Sequence, residues 1–243
     1  MRKRLGIIRH RYAQPLFNGL RHQPPDSPVR FDLVQESAPQ LLLKLLQDEL
    51  DGAFLSPFEY AKNFSELKIV KDVCVASYDE SGIIELHFGD NLRDLKTLAI
   101  NPESGSETVL AKLLLTEKFD ISPQLIAVQQ IVPEVLKKSD SALVVGDDVA
   151  MWEDHANKID LVDQWNDLTE LPYVHGFWVT KEDNLTTDEL SILTTIIAAD
   201  HDIEYLDSTY MLDDAVLNSL TELYRLAFYY GILKEIPEIK MLD

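Results

Sequence analysis

The sequence predicts an α/β protein of two lobes, each a sheet flanked by helices, with a ligand cleft between them. Three observations carry this. The first 60 residues alternate strand, helix, strand, helix, strand, helix, the pattern of a parallel sheet covered on both faces. The alternation restarts near residue 90, after two strand-like stretches at 69–77 and 82–88 that suit a hairpin or a crossing between lobes. Helical series at 185–200 and 214–231 then close the chain and are expected to pack back on the first lobe. The expected division is residues 1–88 with 181–243 for one lobe and 89–180 for the other.

Leu5 to Ile8 is a short apolar run that reads as the first strand. A turn-like loop, His10-Arg11-Tyr12-Ala13-Gln14-Pro15, leads into a helix near Leu16 to Leu20, with Pro15 suited to its first position. Three prolines mark His22 to Pro28 as a surface connection. Phe31 to Val34 alternates as a strand does. Ser37 with Gln40 reads as a capping box opening a helix through Leu41, Leu42, Leu45 and Leu46 to Leu50, ended by Asp51-Gly52. Ala53 to Leu55 is a further strand, and Ser56-Pro57-Phe58-Glu59-Tyr60 enters the next helix.

The second unit is organised around Thr97 to Phe119. Leu98 to Ile100 is a buried strand, Asn101 to Ser106 a polar loop, and Thr108 to Phe119 a helix with its apolar stripe at Val109, Leu110, Leu113 and Leu114. In an open α/β sheet such a loop lies at the carboxyl end of its strand, where ligands bind and helix-opening N–H groups point. Ser104 with Glu107 also reads as a capping box, a structural role needing no ligand, and the Glu107 carboxylate would repel an anion arriving there. Gln124 to Val128 and Ala142 to Val145 are strands. Pro133 to Lys137 and Val149 to Asp154 read as helices, with Asp147 and Asp148 placed to cap the second.

Composition narrows the function. With 42 acidic against 22 basic side chains and a formal charge of -20, nucleic acid and anionic membranes are disfavoured as partners. The one cysteine, Cys74, allows no internal disulfide and fits a reducing compartment. No segment reaches the roughly 20 apolar residues needed to span a membrane. The basic start breaks off its apolar run at Arg9 and His10, so a cytoplasmic location is expected. No cofactor and no metal are expected, because neither a glycine-rich phosphate loop nor a Cys/His cluster at zinc spacing is present. The first 30 residues carry seven Arg or Lys side chains against Asp26, a candidate anion site or a solvated basic face.

Several stretches together resemble the chorismate dehydratase family of the futalosine route to menaquinone (MqnA-like). Asp160 to Trp165 followed by Leu168-Thr169-Glu170-Leu171-Pro172-Tyr173-Val174-His175-Gly176-Phe177-Trp178 is similar to the family's "DL…W" and "TGLPFVFAxW". Gly52 to Tyr60, Asn101 to Ser104 and Ala142 to Ala150 agree as well, and the likeness runs from Leu5 to Lys240. The resemblance implies a two-lobed periplasmic-binding-protein-like (type II) fold and a small anionic carboxylate ligand in the cleft. The loops after the first strand, after Glu103 and around Gly146-Asp147 would contact it.

Carried onto this chain, the resemblance implies catalytic roles for Tyr12 and Ser104. It implies ligand contacts from Arg9, Arg11, Ser56, Asn101, Ser106, Glu107, Gly146, Asp147 and His175. Two departures fall at the ligand. Tyr12 stands where the family has a catalytic asparagine ("YLNxxPL"), and Ser104-Gly105-Ser106-Glu107 replaces "SRTS", losing an arginine and gaining an acid. His175 also reads as a hydrogen-bonded strand residue, and Tyr12 and Trp178 as walls of the cleft. Two functions follow: an enzyme that dehydrates chorismate or a similar carboxylate, and a two-lobed binding protein that has lost the chemistry. An exported solute receptor fits less well, for want of an export signal.

Overall fold

The computed structural model describes residues 2–198 and 208–242. The expected alternation opens the chain: β1 (Arg2–Ile7), α1 (Gln14–Arg21), β2 (Arg30–Gln35), α2 (Ala38–Leu46), β3 (Gly52–Leu55), α3 (Pro57–Asn63) and β4 (Lys68–Ser77). The middle holds β5 (Ile84–Phe88), β6 (Thr97–Ile100), α4 (Gly105–Phe119), β7 (Gln124–Ala127), β8 (Ser141–Val145) and β9 (Lys158–Asp160). The chain closes with α5 (Leu161–Thr169), β10 (Tyr173–Thr180), α6 (Thr187–Ala198), β11 (Ser208–Thr209), α7 (Asp214–Tyr229) and β12 (Met241–Leu242). Asp200, the expected end of the helix from Leu185, lies outside the described residues.

Two sheets result. One has the order β11-β4-β10-β3-β1-β2 with β12 beside β4, the other β7-β6-β8-β5-β9. β1 pairs parallel with both β2 and β3, and β6 parallel with both β7 and β8, so the carboxyl ends of each set open in one direction. The chain crosses between sheets after β4 and returns after β9. The stretches at 69–77 and 82–88 are therefore this crossing and not a hairpin. β5 pairs with β8 and β9, and β10 pairs antiparallel with β3 and β4. Both expected lobe limits, at 88 and at 180, thus fall one strand later than the exchange of sheets.

Local chemistry explains where elements begin. α2 ends at Leu46, four residues before the expected Leu50, because Asp48 takes a left-handed backbone with φ 59°. Neither expected capping box forms: Ser37 and Ser104 make no side-chain cap bond. Pro39, in the first turn of α2, has no N–H to offer Ser37. Ser104 holds φ -91° and ψ 57°, away from the extended backbone of a capping residue, and α4 starts at Gly105, three residues before the expected Thr108. Asp160 does cap, accepting from the N–H groups of Val162 (2.7 Å) and Asp163 (3.2 Å) at the start of α5. Pro133–Lys137 and Gly146–Trp152 are 3-10 turns, the latter starting before Asp147 and Asp148 instead of being capped by them.

The larger of two buried apolar clusters runs through both sheets, and a smaller one, Ala99, Ile131, Ala142, Val144 and Trp152, lies within the second. Trp165 and Trp178, from the stretch most like the family, are fully buried within the larger cluster. α7 ties the parts together: Ser219 Oγ accepts from Trp165 Nε1 at 3.0 Å, and Tyr224 Oη donates to the Pro57 carbonyl at 2.9 Å, fixing the start of α3. α6 packs on α1 and β4, so the closing helices return to the first sheet as expected.

Candidate active site

A cavity of about 430 Å3 opens at the carboxyl ends of the parallel strands, between the two sheets. Each strand delivers its next residues to it. β1 supplies Ile8, Arg9 and His10, with Tyr12 beyond; β2 supplies Gln35, Glu36 and Ser37; β3 supplies Ser56. From the other sheet come Asn101, Glu103, Ser104 and Glu107 after β6, and Val145 and Asp148 around the end of β8. His175 enters from within β10.

Seven of the eleven expected residues line this space: Arg9, Tyr12, Ser56, Asn101, Ser104, Glu107 and His175. The other four lie around it. Arg11 is exposed and binds Asp147, its N–H and its Nε both 3.2 Å from Asp147 Oδ1, which links the loop after β1 to the loop after β8. Gly146 lies beneath His10: with φ +65° it takes a backbone open to glycine, and a Cβ there would stand 2.3 Å from His10 Nδ1. Ser106 is buried below the floor, donating to Ser56 Oγ (2.8 Å) and accepting from the Phe58 N–H (3.0 Å).

The floor is a set of neutral rings and buried carboxyls. Tyr12 is stacked against His10, with ring centroids 5.5 Å apart and planes 7° from parallel, and its other side meets His175 at 5.1 Å. Burial, then the nearby Glu107, raises the Tyr12 phenol well above its usual range, so it stays protonated. Burial lowers His175 to about 3, so its imidazole is neutral, with Nε2 3.0 Å from Ser77 Oγ. His10 is also lowered, by burial first, against the opposing pull of Asp147.

Glu107 differs from all of these. Only 8% exposed, it is raised to about 7, by burial first and also by the charge of Glu59, while a bond to its own backbone pulls the other way. Glu107 therefore keeps its proton to higher pH than an ordinary glutamate does. Arg9, the cation on the cavity wall, makes no ion pair with a described residue, whereas Glu36 is paired with Lys44 at 3.2 Å. Asn101 is committed to its own loop, accepting from the Glu103 N–H at 3.0 Å. Among the described residues no group of three or more His, Cys, Asp or Glu side chains is arranged to hold a metal.

Residues 3–206 match the family described as menaquinone biosynthesis. The chain belongs to the menaquinone biosynthesis family. Solved structures show that this family member has a periplasmic-binding-protein-like fold. It superposes on protein AF1704 from Archaeoglobus fulgidus with a TM-score of 0.74 and 18% identity, over 96% of this chain and 98% of that one. The periplasmic aliphatic sulphonate binding protein SsuA from Escherichia coli gives 0.63 at 14% identity, over 98% and 95%. The Candida albicans CA3427 gene product, described as having the generic periplasmic binding protein fold, gives 0.62 at 12%, over 100% and 98%. No helix among the described residues of this family member is long and apolar enough to cross a membrane.

Sequence reasoning missed His10, Gln35, Glu36, Ser37, Gln40, Glu103 and Asp148 as lining residues, and Glu59 beneath them. His10 had a signal, since it sits in the loop directly after the first strand. Gln35 to Ser37 had the same signal after the second strand.

Proposed function

We propose that this chain is a hydro-lyase of the chorismate dehydratase kind, acting in the cleft on chorismate or a closely similar ring carboxylate. The observation that supports this best is Glu107, an acid that still holds its proton near pH 7 on the wall of a cavity that also carries Arg9. Dehydration needs such a group, because hydroxide is a poor leaving group until it is protonated.

For chorismate the step balances as follows. The ring carbon bearing the enolpyruvyl ether loses its proton to a base, and that C–H electron pair closes the aromatic ring. The C–O bond of the neighbouring hydroxyl breaks as Glu107 gives it a proton, and water leaves with 3-[(1-carboxyvinyl)oxy]benzoate. His10, neutral and on the cavity wall, is the group we assign as base; its proton returns to Glu107 through solvent. Arg9 anchors a substrate carboxylate, and the Ser56 and Ser104 hydroxyls and the N–H groups opening α4 orient the ring. A cytoplasmic location belongs to the same reading.

A second reading, ligand binding without turnover, is favoured by Tyr12, a buried, protonated phenol standing where the family's catalytic asparagine is expected. Incubation of the purified protein with chorismate, with a heat-inactivated control and chromatography of the product, separates the two. Formation of the benzoate ether supports the lyase. Its absence, with chorismate still raising the melting temperature, supports the binding protein, and absence of both removes chorismate as ligand.

A further inference from the structure

Glu59 lies directly behind the site and takes no part in the chemistry described so far. It is 3% exposed, sits in the first turn of α3 and does not line the cavity. Its Oε1 reaches the start of α4, where a Cβ on Gly105 would be 3.3 Å away. Ser56 Oγ donates to Glu59 Oε2, and Ser106 Oγ in turn donates to Ser56 Oγ at 2.8 Å. Glu59 on α3 thus reaches the start of α4, two residues from Glu107, and neither acid has an ion-paired cation from a described residue. Buried like charges at such a site are not both ionised.

We propose that Glu59 and Glu107 form one proton-sharing carboxyl pair, in which Glu107 meets the ligand and Glu59 is the positioning residue that keeps the proton there. The groups around the pair agree with this division. Burial raises Glu59 as well, but Lys62 on the same helix, its own backbone and the Ser106 hydroxyl all pull it back toward the ionised form. The side chains beside Glu107 are uncharged: Tyr12 before α1 and His175 on β10 share its cavity and Tyr173 on β10 stands near it, while Tyr224 on α7 stands near Glu59, the three phenols all pushed upward by burial first. The Tyr173 hydroxyl is buried without a hydrogen-bond partner and offers the pair no positive charge. The proton therefore resides on the member that opens to the cleft. A carboxylate ligand over α4 then meets a neutral acid in place of a second anion, which offsets the loss of the family's arginine from this loop.

This inference rests on the proposed function only for the use made of the proton, and its test is made on ligand-free protein. Carboxyl carbon-13 spectra of protein labelled at glutamate, assigned with Glu107→Gln and Glu59→Gln, follow both groups through pH. Glu107 is expected to titrate near 7 and to move down by about half a pH unit or more in Glu59→Gln, stopping short of the ordinary glutamate range because burial remains. Should Glu59→Gln fold poorly, Glu107→Gln reads the same coupling from the other side, with the Glu59 titration moving down. Titration of Glu107 in the ordinary range, or no movement of either group when the other is neutralised, overturns the pair. With chorismate, the alkaline limb of kcat/KM shifts down in Glu59→Gln, whereas a merely structural role lowers the rate without moving the limb. Absence of turnover by the unaltered protein would remove the dehydratase reading and leave the titration result standing.

Discussion

Glu85 and Glu107 are both buried and are treated in opposite ways. Glu85, on β5 in the second sheet, is 3% exposed and holds His87 Nε2 at 2.7 Å with one oxygen and Lys158 Nζ at 2.7 Å with the other. Burial pushes its carboxyl up, but the bonds from His87 and Lys158 outweigh this and leave it below its usual value. Glu107, 8% exposed on the cleft, has a second acid behind it and no ion pair with a described residue. Where the fold needs a charge inside it supplies partners; at the cleft it withholds them, and the carboxyl keeps its proton. An unpaired buried acid costs stability, and the place where that cost is tolerated marks the site.

The largest effect should come from breaking the paired side. Glu85→Ala takes away the partner of the fully buried His87 Nε2 and of the Lys158 ammonium, and is expected to destabilise the protein by about 3 kcal/mol in urea denaturation at pH 7. A loss below about 1 kcal/mol would remove the contrast.

The unpaired side should respond with the opposite sign. The folded value of Glu107 lies above its unfolded one, so between about pH 4.5 and 7 the folded state holds more protons and stability falls as pH rises. Across that window the penalty is on the order of 3 kcal/mol. Asp160, raised to about 6, slopes the same way, while His175, lowered to about 3, gains stability as pH rises toward 6.5. The comparison must therefore be the difference between the unaltered protein and Glu107→Gln. The variant is expected to gain stability progressively up to pH 7 and to lose none below pH 4.5. A pH-independent difference would place Glu107 among ordinary carboxylates.

How much of this contrast could be read in the sequence depends on the range of the interaction. Strands such as β1, β3 and β8 and helices such as α2, α4 and α7 show in their own apolar periodicity. The loops that end the parallel strands follow from that order, and the family resemblance placed Arg9, Ser56, Ser104 and Glu107 at the cleft they border. The pairing of Glu59 with Glu107 was not, because 48 positions separate two acids that each read as the acidic first turn of a helix. The same pattern made Ser104 and Glu107 look like a capping box, whereas tertiary packing turns the glutamate inward. Asp147 reads as a cap by its neighbours and serves instead as the partner of Arg11, an attachment 136 residues apart that no local pattern carries.

Two further substitutions sharpen the comparison without altering a buried charge. Gly146→Ala places a methyl against His10 at a backbone angle that resists it, and is expected to cost about 1–2 kcal/mol and to displace His10 from the cavity wall. Ligand affinity should fall more than stability does. The smallest effect is expected from Asp147→Ala: the Arg11 ion pair is exposed on both sides, so stability should change by less than about 1 kcal/mol and become insensitive to added salt. A salt-insensitive loss larger than Gly146→Ala would mean that this contact, and not His10 over Gly146, joins the two loops.

The central claim is that the cleft presents an acid to a ring carboxylate and uses it to expel water. Its most direct test is the rate at which the unaltered protein and Glu107→Gln convert chorismate to 3-[(1-carboxyvinyl)oxy]benzoate at pH 6.5. The account predicts product from the unaltered protein and a rate lower by about a hundredfold or more in the variant, with its fold intact. Equal rates in the two proteins, or no product from either, would contradict it.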